Sequence, residues 1–157
     1  MLYHSTNNPT FRVDLKEAIL RSLPPDNGLY MPDELPVLGE DFWKIWRHLS
    51  FTEIGIAVAD AFFGPDVPPQ ALVDIVEGTL EFDAPVVTLG PGDHVLELFH
   101  GPTLAFKDFG ARFMARLMAW LTRGDDRLLT VLVATSGDTG GAVASAFHHV
   151  PGTRVII

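Results

Sequence analysis

Leu128-Leu129-Thr130-Val131-Leu132-Val133-Ala134-Thr135-Ser136-Gly137-Asp138-Thr139-Gly140-Gly141 is the stretch that decides the fold class. Residues 128–134 form an unbroken apolar run, the pattern of a strand in a parallel sheet covered on both faces. Gly140 to His149 then reads as a small-residue helix, and Thr153 to Ile157 as the next strand. Upstream, Pro85–Leu89 and His94–Phe99 are strand-like and are joined by the turn Gly90-Pro91-Gly92-Asp93. Phe106, Phe109, Phe113, Met114, Leu117, Trp120 and Leu121 mark one long helix, closed by Gly124-Asp125-Asp126. The alternation predicts an α/β domain over residues 85–157, a parallel sheet flanked by helices with right-handed crossovers.

Residues 1–84 read differently, as a small and mostly helical region. Leu15, Ala18, Ile19 and Leu23 are spaced three or four apart, which predicts a helix over Asp14–Leu23 that Pro24-Pro25 ends. Asp26-Asn27-Gly28-Leu29-Tyr30-Met31-Pro32 is a turn leading into a short extended piece. Phe42, Ile45, Trp46 and Leu49 form a further helical stripe. Thr52–Phe63 and Pro68–Gly78 are two more helices, with Thr52 beside Glu53 as one cap and Val67 before Pro68-Pro69 as the other. No internal repeat is present.

Composition narrows the function classes. Apolar residues are 47% and charged residues 20% of the 157, as in a folded globular chain. No apolar run approaches the roughly 20 residues a membrane helix needs, and the start Met1-Leu2-Tyr3-His4 has no secretory pattern. A cytoplasmic location is expected. A net charge of -9 opposes nucleic acid as a partner, because binding its backbone requires clustered Lys and Arg. The charge is silent about small phosphates, which backbone N–H groups at helix starts can hold. Cysteine is absent, so disulfides and thiolate metal sites are excluded. Arg154-Val155-Ile156-Ile157 stops in an apolar strand pattern without a polar tail, and the chain reads as a fragment.

Two loops carry the unusual chemistry, both where strands lead into helix starts. Lys107, in His100-Gly101-Pro102-Thr103-Leu104-Ala105-Phe106-Lys107-Asp108-Phe109-Gly110, places a cation in the first turn of a helix, against the macrodipole. A solvated surface lysine is the plain reading. Apolar bulk from Phe106 and Phe109 favours the uncharged, nucleophilic amine instead. Residues 135–141 combine hydroxyls, a carboxylate and glycines at a helix start, which suits an anion-binding nest as well as an ordinary N-cap. They match neither the P-loop nor the dinucleotide fingerprint. Gly137-Asp138-Thr139-Gly140-Gly141 echoes the nucleophile segment of trypsin-like proteases, but a Thr stands at the nucleophile and a helix follows. The six histidines share no ligand spacing, and no metal site is expected. His148 and His149, as neighbours on a helix, would point to different faces. His100 stands apart, seven residues before Lys107 at a strand end.

The segments Glu97–Gly110 and Ala134–Gly140, with Tyr3, Ser5, Thr6, Phe11–Leu23 and Asp26–Pro32, resemble the threonine synthase family in order and spacing. The N-terminal segment sets that family apart from threonine dehydratase and cysteine synthase. Asn27 departs from the family's more frequent Gly, and an αL turn tolerates either. The resemblance implies the fold type II architecture of pyridoxal-phosphate enzymes, related to the tryptophan synthase β chain. It implies an enzyme that converts O-phospho-L-homoserine and water into L-threonine and phosphate with pyridoxal 5'-phosphate. Lys107 would be the Schiff-base lysine and the proton-transferring group. Phe106 would pack beside the cofactor, and Asp138 would sit near its phenolic oxygen, where relatives often carry Asn. Thr135, Ser136 and Thr139 would hold the substrate carboxylate. The family's glycine-rich phosphate cup has no counterpart here, and its chains are much longer. The resemblance therefore implies an N-terminal fragment, inactive by itself. The alternatives are a related phospholyase acting on another phosphorylated amino acid, and a non-catalytic module.

Overall fold

The computed structural model describes residues 1–135 and 137–157. They form two compact units, Met1–Val76 and Glu77–Ile157. The change of sequence style falls at residues 80–90, a few positions later.

In the first unit β1 (Tyr3–Ser5) is the middle strand of an antiparallel sheet, between β2 (Arg12–Val13) and β3 (Tyr30–Pro32). Asp33, just past β3, ties the three strands together. Its carboxylate accepts from Arg12 Nε at 2.6 Å and meets His4 Nδ1 at 2.9 Å. Sequence periodicity showed only one extended piece here, because strands of two or three residues are too short to alternate visibly. The turn feeding β3 is anchored to β1. The buried Ser5 hydroxyl donates to Asp26 Oδ1 at 2.7 Å, and the same oxygen accepts the Gly28 N–H at 3.0 Å. A Cβ at Gly28 would collide with Ser5 Oγ.

The helices of this unit begin on recognisable caps. The Asp14 carboxylate accepts the Glu17 N–H at the start of α1 (Leu15–Arg21). This helix ends earlier than its apolar spacing suggests, at Ser22 with φ +69°, so Leu23 is exposed rather than part of the stripe. α2 (Glu40–Ile45) buries no residue, and Trp43, Ile45 and Trp46 are exposed. The helical stripe proposed from Phe42, Ile45, Trp46 and Leu49 is therefore not a core face. α3 (Phe51–Phe63) starts on Ser50 rather than Thr52. Ser50 Oγ accepts the Glu53 N–H, and the Glu53 carboxylate accepts the Ser50 N–H at 2.7 Å, a reciprocal capping box. α4 (Pro69–Thr79) opens on a proline, which sacrifices no helical hydrogen bond at the first position. Its Leu72, Ile75 and Val76 are buried, as is Val67 just before it.

The second unit contains two small sheets. β4 (Val86–Gly90) and β5 (Asp93–Leu96) form an antiparallel hairpin, pairing Val86 with Leu96 and Thr88 with His94. The strand expected over His94–Phe99 stops at Leu96. The Pro85 carbonyl accepts the Glu97 N–H, but Pro85 has no N–H with which to continue the ladder. β6 (Leu129–Leu132) and β7 (Thr153–Ile156) pair in parallel, Leu129 with Thr153 and Leu132 with Ile156. The predicted parallel sheet flanked by helices is thus realised in part, by β6, β7 and the crossover helix α6 (Asp138–Phe147).

α5 (Lys107–Leu121) packs on α6, and both helices bury small residues, Ala111 and Ala115 in α5 and Gly140, Ala142 and Ala146 in α6. Ala and Gly let two helix backbones approach. Of the predicted α5 stripe Leu117 is buried, while Phe109 and Met114 line a groove with Thr139 and Val143 of α6. Arg112 binds the end of α4, donating to the Gly78 carbonyl at 2.8 Å and the Thr79 carbonyl at 3.2 Å, and pairs with Glu81. It satisfies carbonyls that a helix end leaves unpaired.

α6 ends at Phe147, before the two histidines. His149 has φ +59°, and the rings of His148 and His149 lie with centroids 3.7 Å apart. The divergence expected of neighbours on a helix is absent because neither residue is helical. No group of three His, Asp or Glu side chains that would hold a metal occurs among the described residues. Among the same residues no helix is long and apolar enough to cross a membrane.

Candidate functional site

The loop after β5 brings Lys107 to the first position of α5. Its shape is set by Asp108, whose side chain is buried at 1% exposure. Asp108 Oδ2 accepts the Thr103 N–H at 2.9 Å, and Oδ1 accepts the Thr103 hydroxyl at 2.6 Å. Gly101 lies so close that any Cβ there would strike the carboxylate. Leu104, between these contacts, has φ +58°, a conformation L-residues avoid. The Leu104 N–H closes the turn on the Gly101 carbonyl at 3.1 Å.

Lys107 Nζ lies over the Phe106 ring, 4.6 Å from its centroid. The two residues line an open groove of about 490 Å³ with Leu98, Phe109, Met114, Thr139 and Val143. Phe106 is 61% exposed, so it offers an open aromatic face rather than the closed apolar flank expected from sequence. Phe109 also leans on Phe82, with ring centroids 4.7 Å apart.

The loop after β6 approaches the same groove through Thr139, in the first turn of α6. Gly137 precedes α6 with φ +154° and ψ -83°, a backbone that glycine alone adopts without strain. Thr135 Oγ1 accepts the N–H groups of Gly137 and Gly140, both at 3.2 Å. Its hydroxyl therefore braces the helix start. Asp138 is exposed as the first residue of α6, and no groove-lining atom is its own. Ser136 lies outside the described residues. Of the residues singled out from sequence, Lys107, Phe106 and Thr139 share one groove, whereas Thr135 lies in the loop before α6 and Asp138 at the exposed start of that helix. His100 pairs with Glu97, Nε2 to Oε2 at 2.7 Å, and stacks on Phe99.

A family model described as "Threonine synthase N terminus" matches residues 2–80, half of the chain. The chain belongs to the threonine synthase family. The threonine synthase of Escherichia coli (strain K12) is 39% identical over 146 residues, covering 93% of this chain and 34% of that protein. The crystal structure of threonine synthase from Escherichia coli superposes with a TM-score of 0.90 at 37% identity, covering 99% of this chain and 36% of the other. The structure described as PLP-bound threonine synthase from Brucella melitensis gives a TM-score of 0.90 at 36% identity, covering 99% and 34%. The chain thus spans about a third of the length of the threonine synthases it matches.

A pyridoxal-phosphate group, as in the Brucella structure, is suited by part of the groove. Lys107 supplies an amine, Phe106 and Leu98 supply apolar walls for a flat ring, and Thr139 supplies a hydroxyl. Among the described residues no basic side chain besides Lys107 lines the groove, so none of them gives the phosphate a charged partner there.

The clasp of Gly101, Thr103 and Asp108 escaped the sequence reading. An acidic residue in the first turn of a helix is ordinary, and only the pairing of Thr103 with a carboxylate five residues on hints at more.

Proposed function

We propose that this chain supplies the lysine-bearing part of a pyridoxal-phosphate-dependent threonine synthase. The full-length protein would convert O-phospho-L-homoserine and water into L-threonine and phosphate. The observation that carries this reading is the Lys107 amine on the Phe106 face, in a groove shared with Thr139. Family membership and the PLP-bound relative support it.

In this reading Lys107 Nζ holds the cofactor between turnovers, then takes and returns protons on the substrate's carbon chain. The cofactor, when bound, supplies an electron sink that stabilises negative charge on carbon. Phe106 packs against the cofactor ring. Thr139 and Ser136 bind the substrate carboxylate, and Thr135 does so with the proton its hydroxyl can still donate. The loop N–H groups at the α6 start add to that anion site. Asp138 approaches the cofactor's phenolic oxygen, sharing a proton with it. Residues 1–157 alone are expected to bind the cofactor weakly and to turn over no substrate, because among the described residues the groove has no basic side chain besides Lys107 to hold its phosphate.

The test is phosphate release by the full-length protein and by its Lys107→Ala variant, with O-phospho-L-homoserine and threonine phosphate as competing substrates. The expected result is release from phosphohomoserine, lost in the variant together with the visible absorption of the lysine-bound cofactor. Release at the wild-type rate by the variant would refute the role of Lys107. Preference for threonine phosphate would transfer the activity to a related phospholyase.

A further inference from the structure

We infer that Asp108 is a positioning residue for Lys107, acting through a clasp on Thr103 that preforms the loop before the lysine. The inference rests on Lys107 being the reactive group of the groove. Asp108 follows the lysine directly, yet its side chain turns away from solvent and takes two bonds from one residue, the Thr103 N–H and hydroxyl. A carboxylate accepts on both oxygens, whereas an amide accepts on only one. An amide at 108 could keep one of these bonds and would have to reverse the other, donating to the Thr103 oxygen. Both bonds in their present direction therefore need an acid at 108.

Gly101 makes room for this carboxylate, since a Cβ there would overlap it. Leu104 shows what the clasp holds in place. A leucine at φ +58° with 74% of its surface exposed has no burial to offset its strain. The surrounding contacts must over-determine it, and the Asp108 bonds together with the 3.1 Å Leu104–Gly101 bond do so. With the loop closed, Phe106 enters α5 with its ring under the Lys107 amine. If the clasp opens, Leu104 relaxes, the Phe106–Lys107 geometry is lost, and the amine samples solvent.

The test compares Asp108→Asn, Thr103→Val and Thr103→Ser in the full-length protein. Lys107 acetylation by an N-hydroxysuccinimide ester is followed against pH by mass spectrometry, with Lys16 and Lys44 as internal references. Asp108→Asn and Thr103→Val are expected to raise the Lys107 rate several-fold relative to those references, because the amine would leave the Phe106 ring for solvent. Thr103→Ser, which keeps both bonds, is expected to match wild type. Melting temperature, measured in parallel, separates this from loss of fold. An unchanged Lys107 profile in both disruptive variants would overturn the clasp, as would a change shared by Lys16 and Lys44. Pyridoxal phosphate serves as a second probe. If wild type fails to take it up while the acetylation profile still responds to Asp108, the clasp stands and the proposed cofactor role falls.

Discussion

Thr135 and Gly140 interlock across the start of α6: the threonine hydroxyl accepts the Gly140 N–H at 3.2 Å, and its methyl occupies the space a side chain at 140 would need. A Cβ on Gly140 would lie 2.5 Å from Thr135 Cγ2 and 3.1 Å from Ile157 Cγ2. Gly140→Ala is therefore expected to destabilise the second unit by about 1–3 kcal/mol, the usual cost of overpacking. Urea unfolding followed by circular dichroism checks this. A variant as stable as wild type would show that the loop yields.

The α5–α6 contact gives a second prediction. Ala115 in α5 and Ala142 in α6 are fully buried. Ala142→Leu should cost about 1–3 kcal/mol by overpacking this buried position. Leu117→Ala should cost about 2–5 kcal/mol by leaving a cavity. Thermal melts rank the two, and a neutral Leu117→Ala would contradict its buried position.

Ser50 should show its worth as a cap. Ser50→Ala removes the acceptor for the Glu53 N–H and is expected to cost about 1 kcal/mol, while Ser50→Asp retains an acceptor and should cost much less. Thr52→Ala, at the position where composition alone would put the cap, should be nearly silent in the same denaturation assay.

The first unit should lose stability in acid. The Ser5 hydroxyl and then the Gly28 N–H hold the Asp26 carboxyl below the usual carboxylate range. The Arg12 guanidinium, and more weakly His4, do the same for Asp33. A lowered folded-state value means the stabilisation is complete above the unfolded carboxylate value of about 4 and is lost as pH falls through the folded value. Asp26→Asn should flatten that acid limb in melts taken at successive pH values. A limb of unchanged slope in Asp26→Asn, with Asp33 intact, would remove Asp26 as a contributor.

At the alkaline end Tyr3 behaves oppositely. Burial, and then the charge of Asp66, push its phenol above the ordinary value. Its contribution is present below the unfolded value of about 10 and is lost as pH rises through the folded one. Ultraviolet titration should show a late-ionising step in wild type that is missing from the Tyr3→Phe variant, and loss of an early step instead would refute the shift.

Local chemistry determined much of this protein by itself. The apolar run 128–134, the small residues after it and the run from Thr153 predict a strand–helix–strand unit, and β6, α6 and β7 form it. The long motif around Lys107 and the loop at 135–140 resemble threonine synthase strongly enough for the family to be named from residues alone, and the relatives agree. Those signals are short-range, carried by periodicity and contiguous motifs. Tertiary structure decided what depends on residues meeting across the chain. It joined β1, β2 and β3 around Asp33, ended β5 opposite Pro85, and set α5 against α6. It also separated residues that the motifs had grouped, placing Thr139 in the groove with Lys107 and turning Thr135 to brace α6. Above all it closed Asp108 on Thr103 behind the lysine. A carboxylate's partners depend on the path of the backbone, so no pattern of residue types along the chain could have specified that bond.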